Sequence, residues 1–163
     1  MTTGAVIWFT GLPASGKTTL AAHVRAALTS PSILLDSDEL RVALGMSGYS
    51  DDERAAFYRA LAGLAALLAR QGHLVLVAAT APRRTHRDHA RTLAPRFIEV
   101  WVRVDPSTCA ERDPKGLYAK ARRGDAPTMP GAGERYEPPL VPDVIANGGE
   151  DTSAVDALVR LVS

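Results

Sequence analysis

Gly11-Leu12-Pro13-Ala14-Ser15-Gly16-Lys17-Thr18 decides the fold, because it fits G-x-x-x-x-G-K-[ST] without a gap. A loop of this kind turns its backbone N–H groups inward around an anion, and glycine permits the turn. The helix that follows adds the positive end of its dipole. Lys17 then reaches the β- and γ-phosphates of a nucleotide, and Thr18 offers its hydroxyl to Mg²⁺. Thr19 belongs to the same nucleotide-binding stretch. The context agrees: Ala5–Phe9 reads as a buried strand before the loop, and Lys17–Leu28 as a helix after it.

Working outward, further strands are predicted at Ser32–Leu35, His73–Ala78, Phe97–Val102 and Val144–Ala146. Helices are predicted at Asp38–Leu44, with Gly45 as a stop, and at Asp51–Arg70, where Phe57, Leu61, Leu64, Leu67 and Leu68 recur at helical spacing. Others follow at Thr85–Leu93, after Pro106, and at Ser153–Val162. Strands alternating with helices predict an α/β fold: a P-loop NTPase-type parallel sheet of about five strands sandwiched between helices. In such sheets ligands gather at the carboxyl ends of the strands. The chemistry is therefore expected at residues 10–19, 36–41 and 79–87, and from Asp105 onward.

The chain has 163 residues, 46% hydrophobic and 23% charged, which suits one globular domain over 1–163. A formal net charge of +1 gives no global field for nucleic acid, so anion binding must come from local clusters. One cysteine, Cys109, can form no internal disulfide and reads as a small buried filler. The start, Met1-Thr2-Thr3-Gly4, lacks the charged and long apolar stretch of a signal peptide, and no run is long enough to span a bilayer. No membrane partner and a cytoplasmic setting are the expectation.

Asp36 and Asp38 flank Ser37 at the tip of the second strand. Phosphoryl transfer needs the acceptor hydroxyl oriented and the metal held, and two carboxylates two residues apart can divide those duties. Asp38 also suits the cap of the helix that follows. Between Glu111 and Asp125 stand five basic residues (Arg112, Lys115, Lys120, Arg122, Arg123) against three acids. At a strand's carboxyl end such a segment can close over polyphosphate, and a solvated basic face is the plainer alternative. Pro and Gly then dominate to Pro142, so a lid is expected over about 113–142.

These stretches, with Leu35-Asp36-Ser37-Asp38-Glu39-Leu40-Arg41, Gly48-Tyr49-Ser50, Tyr136-Glu137-Pro138-Pro139 and above all Arg112-Asp113-Pro114-Lys115-Gly116-Leu117-Tyr118, resemble adenylylsulfate kinase. The likeness covers nearly the whole chain. It implies ATP and Mg²⁺ as cofactors and phosphorylation of the ribose 3′-hydroxyl of adenosine 5′-phosphosulfate. By the same likeness, Lys17, Asp36 and Asp38 are catalytic, and Thr18 with Asp36 holds the metal. Arg112 lies against the ATP adenine, and Lys115 to Arg122 cover the nucleotide. Arg41 and Arg54 take the acceptor's anhydride, for which guanidinium forks are suited, and Tyr49 stacks on its adenine. A homodimer is implied by the resemblance alone.

Departures from the family pattern fall on the acceptor side. Ser37 and Glu39 replace the usual Gly and Asn, and the stretch from Arg41 to Gly48 is short. Phe57 stands where an acceptor-binding Asn is usual, Ala81-Pro82-Arg83-Arg84 replaces Ser-Pro-Tyr-Arg, and Met129 replaces a second stacking aromatic. Phe57, Ala81 and Met129 are thus expected at the acceptor site in altered form, with Lys115 reaching it as well. A related kinase with another hydroxyl acceptor and a non-catalytic nucleotide-binding module are the alternatives.

Overall fold

A computed structural model describes residues 3–113, 116, 118, 119, 123 and 135–163. Its elements run β1 (Ala5–Thr10), α1 (Lys17–Ala27), β2 (Ser32–Asp36), α2 (Ser37–Leu44), α3 (Asp51–Arg70), β3 (Leu74–Ala78), α4 (Arg84–Leu93), β4 (Phe97–Val102), α5 (Pro106–Arg112), β5 (Val144–Ala146) and α6 (Thr152–Val162). Their ends lie within about one residue of those expected from pattern, the margin within which helix and strand boundaries are defined at all.

All five strands pair in parallel, in the order β2-β3-β1-β4-β5. The chain goes from β1 to the far edge at β2, returns through β3, then crosses β1 to reach β4 and β5. That reversal opens a crevice at the carboxyl end of β1, where the phosphate loop begins.

β1 is buried on both faces, as its unbroken apolar run required. Val6 and Trp8 pack with Phe57, Leu61, Ala65 and Ala69 of α3 and Ala90 of α4. Ile7 and Phe9 pack with Leu20 and Val24 of α1 and Leu158 of α6.

The buried stripe of α3 differs from the leucine pattern. Phe57, Tyr58, Leu61, Ala62, Ala65, Ala66 and Ala69 face the core, whereas Leu67 is exposed and Leu64 and Leu68 are only partly covered. Alanines let the helix axis approach the sheet closely, so small residues win the inner face. Ser50 caps this helix by accepting from the Glu53 N–H at 3.2 Å, with Asp51, Asp52 and Glu53 in its first turn.

The loop after β5 forms the rear wall of the phosphate loop. Gly16 has φ 99°, and a Cβ there would lie 2.6 Å from the Gly149 nitrogen. A Cβ on Gly149 would lie 2.8 Å from Thr19 Cβ. The two backbones touch, so neither position has room for a methyl group. Gly149→Ala is expected to lower the unfolding free energy by about 1–3 kcal/mol through overpacking, read from urea denaturation. Stability unchanged by that substitution would mean the contact is looser than described.

Candidate active site

β1 ends at Thr10, and the chain turns through Gly11–Gly16 before α1 begins at Lys17. The turn is closed by the Ser15 N–H donating to the Leu12 carbonyl at 3.1 Å, with Ala14 and Gly16 both at positive φ. Lys17 Nζ lies across the mouth, donating to the carbonyls of Gly11 (3.0 Å) and Leu12 (2.8 Å). The ammonium group therefore sits on the loop that a phosphate would enter.

The acidic strand tip is joined directly to that loop. Thr18 Oγ1 donates to Asp36 Oδ2 at 2.5 Å. The other oxygen, Asp36 Oδ1, accepts from the N–H groups of Asp38 (2.9 Å) and Glu39 (3.3 Å). Asp36, and not Asp38, is thus the cap of α2, which starts at Ser37. The Asp38 side chain stands exposed two residues beyond Asp36, in the first turn of α2.

Helix α2 stops at Gly45, whose φ of 66° suits glycine, and the Gly45 and Met46 N–H groups bond back to Val42 and Arg41. This tight ending brings the Met46 and Gly48 carbonyls to the Arg41 guanidinium, at 3.2 and 3.1 Å. The same guanidinium lies over two rings, 4.3 Å from the Tyr49 centroid and 3.9 Å from that of Phe57. Each such contact contributes about 0.5–2 kcal/mol. Phe57 is fully buried and Tyr49 half exposed, so the stack runs from core to surface. Arg54 and Ala81 are buried nearby, and the Ala81 N–H donates to the Tyr58 hydroxyl at 3.1 Å.

At the end of α5, Arg112 Nη1 donates to the Ala14 carbonyl at 3.4 Å. The Tyr118 hydroxyl donates to the Pro13 carbonyl at 2.8 Å, and the Asp113 carboxylate accepts from the Tyr118 and Ala119 N–H groups. The start of the basic segment is therefore seated on the phosphate loop, with Cys109 buried beneath it beside Leu12. Burial pushes the Cys109 thiol up, as for an inert filler. Lys115, Arg122 and Met129 lie outside the described residues.

Sequence reasoning gave no role to Gly149 or Arg87, and it quoted Tyr118 and Tyr136 within the family-like stretches without assigning them one. His86 is half-buried, its ring 4.8 Å from that of Tyr58. Arginines carried by α3 and α4 converge on it, which no local pattern reveals. For Arg87 a signal did exist: Glu99 interrupts the apolar run of β4, and a carboxylate inside a covered sheet demands a buried partner.

The fold and its loop define a kinase of the P-loop class. The pattern described as adenylylsulphate kinase matches residues 3–147, and the chain belongs to that family. It is 39% identical over 158 residues to the adenylyl-sulfate kinase of Acaryochloris marina, covering 93% of this chain and 77% of that one. To the adenylyl-sulfate kinase of Chloroflexus aurantiacus it is 43% identical over 145 residues, 86% and 78% of the two chains. Its fold matches that of the Mycobacterium tuberculosis APS kinase in complex with AMPPNP and APS, with a TM-score of 0.91, 37% identity and full coverage of both chains.

Burial, then the charges of Arg83, Arg54, Arg87 and Arg59, bring the His86 imidazole down from 6.5 to about 4. Between those values the unfolded chain holds a proton that the fold refuses, so stability falls as pH drops from 6.5 to 4. Glu99, raised by burial against the pull of Arg87 and Arg91, acts in the opposite sense as pH falls. Thermal midpoints measured across this range should decline, and His86→Gln should flatten the decline. An equal slope in the variant would remove His86 as its source.

Proposed function

We propose that this chain transfers the terminal phosphoryl group of ATP to the ribose 3′-hydroxyl of adenosine 5′-phosphosulfate, releasing ADP. The observation that carries the reading is the bond between Thr18 and Asp36, which makes the phosphate loop and the acidic strand tip one site. Family membership and a neighbour solved with AMPPNP and APS support the same donor and acceptor.

The loop amides of Gly11–Thr18 and the Lys17 ammonium bind the β- and γ-phosphates, and Thr19 extends that seat along α1. Arg112, with Lys115 and Arg122, lies over the nucleotide. Thr18 and Asp36 offer hard oxygen donors that fit Mg²⁺, which would supply charge neutralisation at the phosphates when bound. Asp38, exposed on the rim two residues from Asp36, orients the acceptor hydroxyl and takes its proton. Arg41 and Arg54 hold the acceptor's anhydride oxygens. Tyr49 carries the adenine on its outer face, since Arg41 covers the inner one. Phe57 acts through Arg41 as the floor of the stack, Ala81 shapes the acceptor-side turn, and Met129 covers the base through its polarizable sulfur.

A second reading, a related nucleotide-like acceptor, is favoured by Arg83. At the position where the family pattern has Tyr, Arg83 Nη2 bonds to Asp51 Oδ1 at 3.3 Å and changes the charge at the rim.

Lys17→Ala is expected to abolish transfer from labelled ATP, and activity surviving that change would remove the phosphate-loop mechanism. Asp38→Asn should lower kcat about 100-fold or more with ATP affinity nearly unaltered. Phe57→Leu should raise KM for the acceptor and leave KM for ATP in place. A screen of acceptors with labelled ATP decides between the readings: adenosine 5′-phosphosulfate left unlabelled while another alcohol is phosphorylated would favour the second.

A further inference from the structure

Arg87 is among the largest fully buried side chains, with 1% of its surface exposed. A guanidinium so enclosed is costly unless every edge is used. Its Nε faces Glu99 Oε2 at 3.3 Å, on the strand next to β1, as an ion pair without hydrogen-bond alignment. Nη1 donates to Thr10 Oγ1 at 3.0 Å and to the Ala81 carbonyl at 2.9 Å. Nη2 donates to the Glu137 carbonyl. One planar fork thus reaches four separate stretches of chain.

Three of them bear on the reaction. Thr10 is the residue from which the phosphate loop departs. Its hydroxyl is saturated: the single proton goes to the Thr80 carbonyl at 2.6 Å, so Tyr136 OH, 2.9 Å away, donates to it along with Arg87. Ala81 has φ 41°, a conformation that costs a residue with a side chain about 1–3 kcal/mol and persists only when held from outside. It is held twice, by the Tyr58 hydroxyl on its N–H and by Arg87 on its carbonyl. Glu137 begins the return of the chain from the basic segment. Its N–H donates to the Pro82 carbonyl, and its carboxylate accepts from the Arg84 N–H.

We infer that Arg87 is a positioning residue for phosphoryl transfer, its buried guanidinium fixing the root of the phosphate loop, the acceptor-side turn at Ala81 and the returning chain at Glu137 in one frame. It touches neither donor nor acceptor. Its effect is on the distance between them, and a displacement of about 1 Å costs on the order of 100-fold in rate. The inference rests on the kinase reading above, and the test separates the two.

Arg87→Lys keeps the charge beside Glu99 and removes the fork. Expected are a kcat about 10- to 100-fold lower, KM for ATP within about 3-fold of the parent, and a raised KM for the acceptor. Hydrogen exchange, followed by mass spectrometry in peptides covering 79–84 and 136–139, should quicken at Ala81 and Glu137 and not in α1. Tyr136→Phe, which deletes one hydroxyl from the same network, should move both readouts in the same direction and decides the matter where Arg87→Lys fails to fold. A lowered thermal midpoint with parental kcat per folded molecule, or exchange unchanged at Ala81, would make Arg87 an ordinary core ion pair and overturn the inference. The exchange measurement needs no acceptor. A parent protein inactive on adenosine 5′-phosphosulfate would therefore sink the functional reading while leaving the role of Arg87 to be judged.

Discussion

One carboxylate serves both halves of the site. Asp36 ends β2, caps α2 with one oxygen and receives the Thr18 hydroxyl with the other. The cap alone is worth about 1 kcal/mol, but its geometric effect is larger. It fixes the direction in which α2 leaves the sheet, and with it the places of Asp38 and Arg41. The bond to Thr18 fixes the same tip against the start of α1. The start of α1 and the start of α2 are consequently tied at one corner, through hydrogen bonds of this one side chain.

The corner around Arg41 is built on stacking. Its guanidinium lies over the rings of Tyr49 and Phe57, with Nη1 directed to the backbone carbonyls of Met46 and Gly48. Phe57, wholly buried, gives the arginine a flat support from the core side.

The sheet and the phosphate loop were legible because their determinants are local: an apolar run, a glycine-lysine turn and a helical repeat. The acidic tip was legible as two carboxylates at a strand end, and the family likeness alone singled out Arg41 and Arg54. Two kinds of feature were not legible. The inner face of α3 was misread, since hydrophobicity favours leucine there while close approach to the sheet favours alanine. The bond from Arg87 to Thr10 spans 77 residues, and the one from Tyr136 to Thr10 spans 126, so no window of sequence contains both ends. Only Glu99, a charge stranded in an apolar strand, pointed to such a network, and it does not say which residue answers it. Lys115, Arg122 and Met129, also taken from the likeness, lie outside the described residues.

The contact of Gly16 with Gly149 has a bearing on how the protein comes into being. Synthesis makes the turn at Gly16 long before the Gly149 backbone that packs against it. Until β5 and the loop after it have emerged, the turn lacks that part of its support. Its shape therefore depends on a stretch distant in sequence, not on the octapeptide alone. A fragment cut off before β5 would retain the signature octapeptide and lack the support that shapes it.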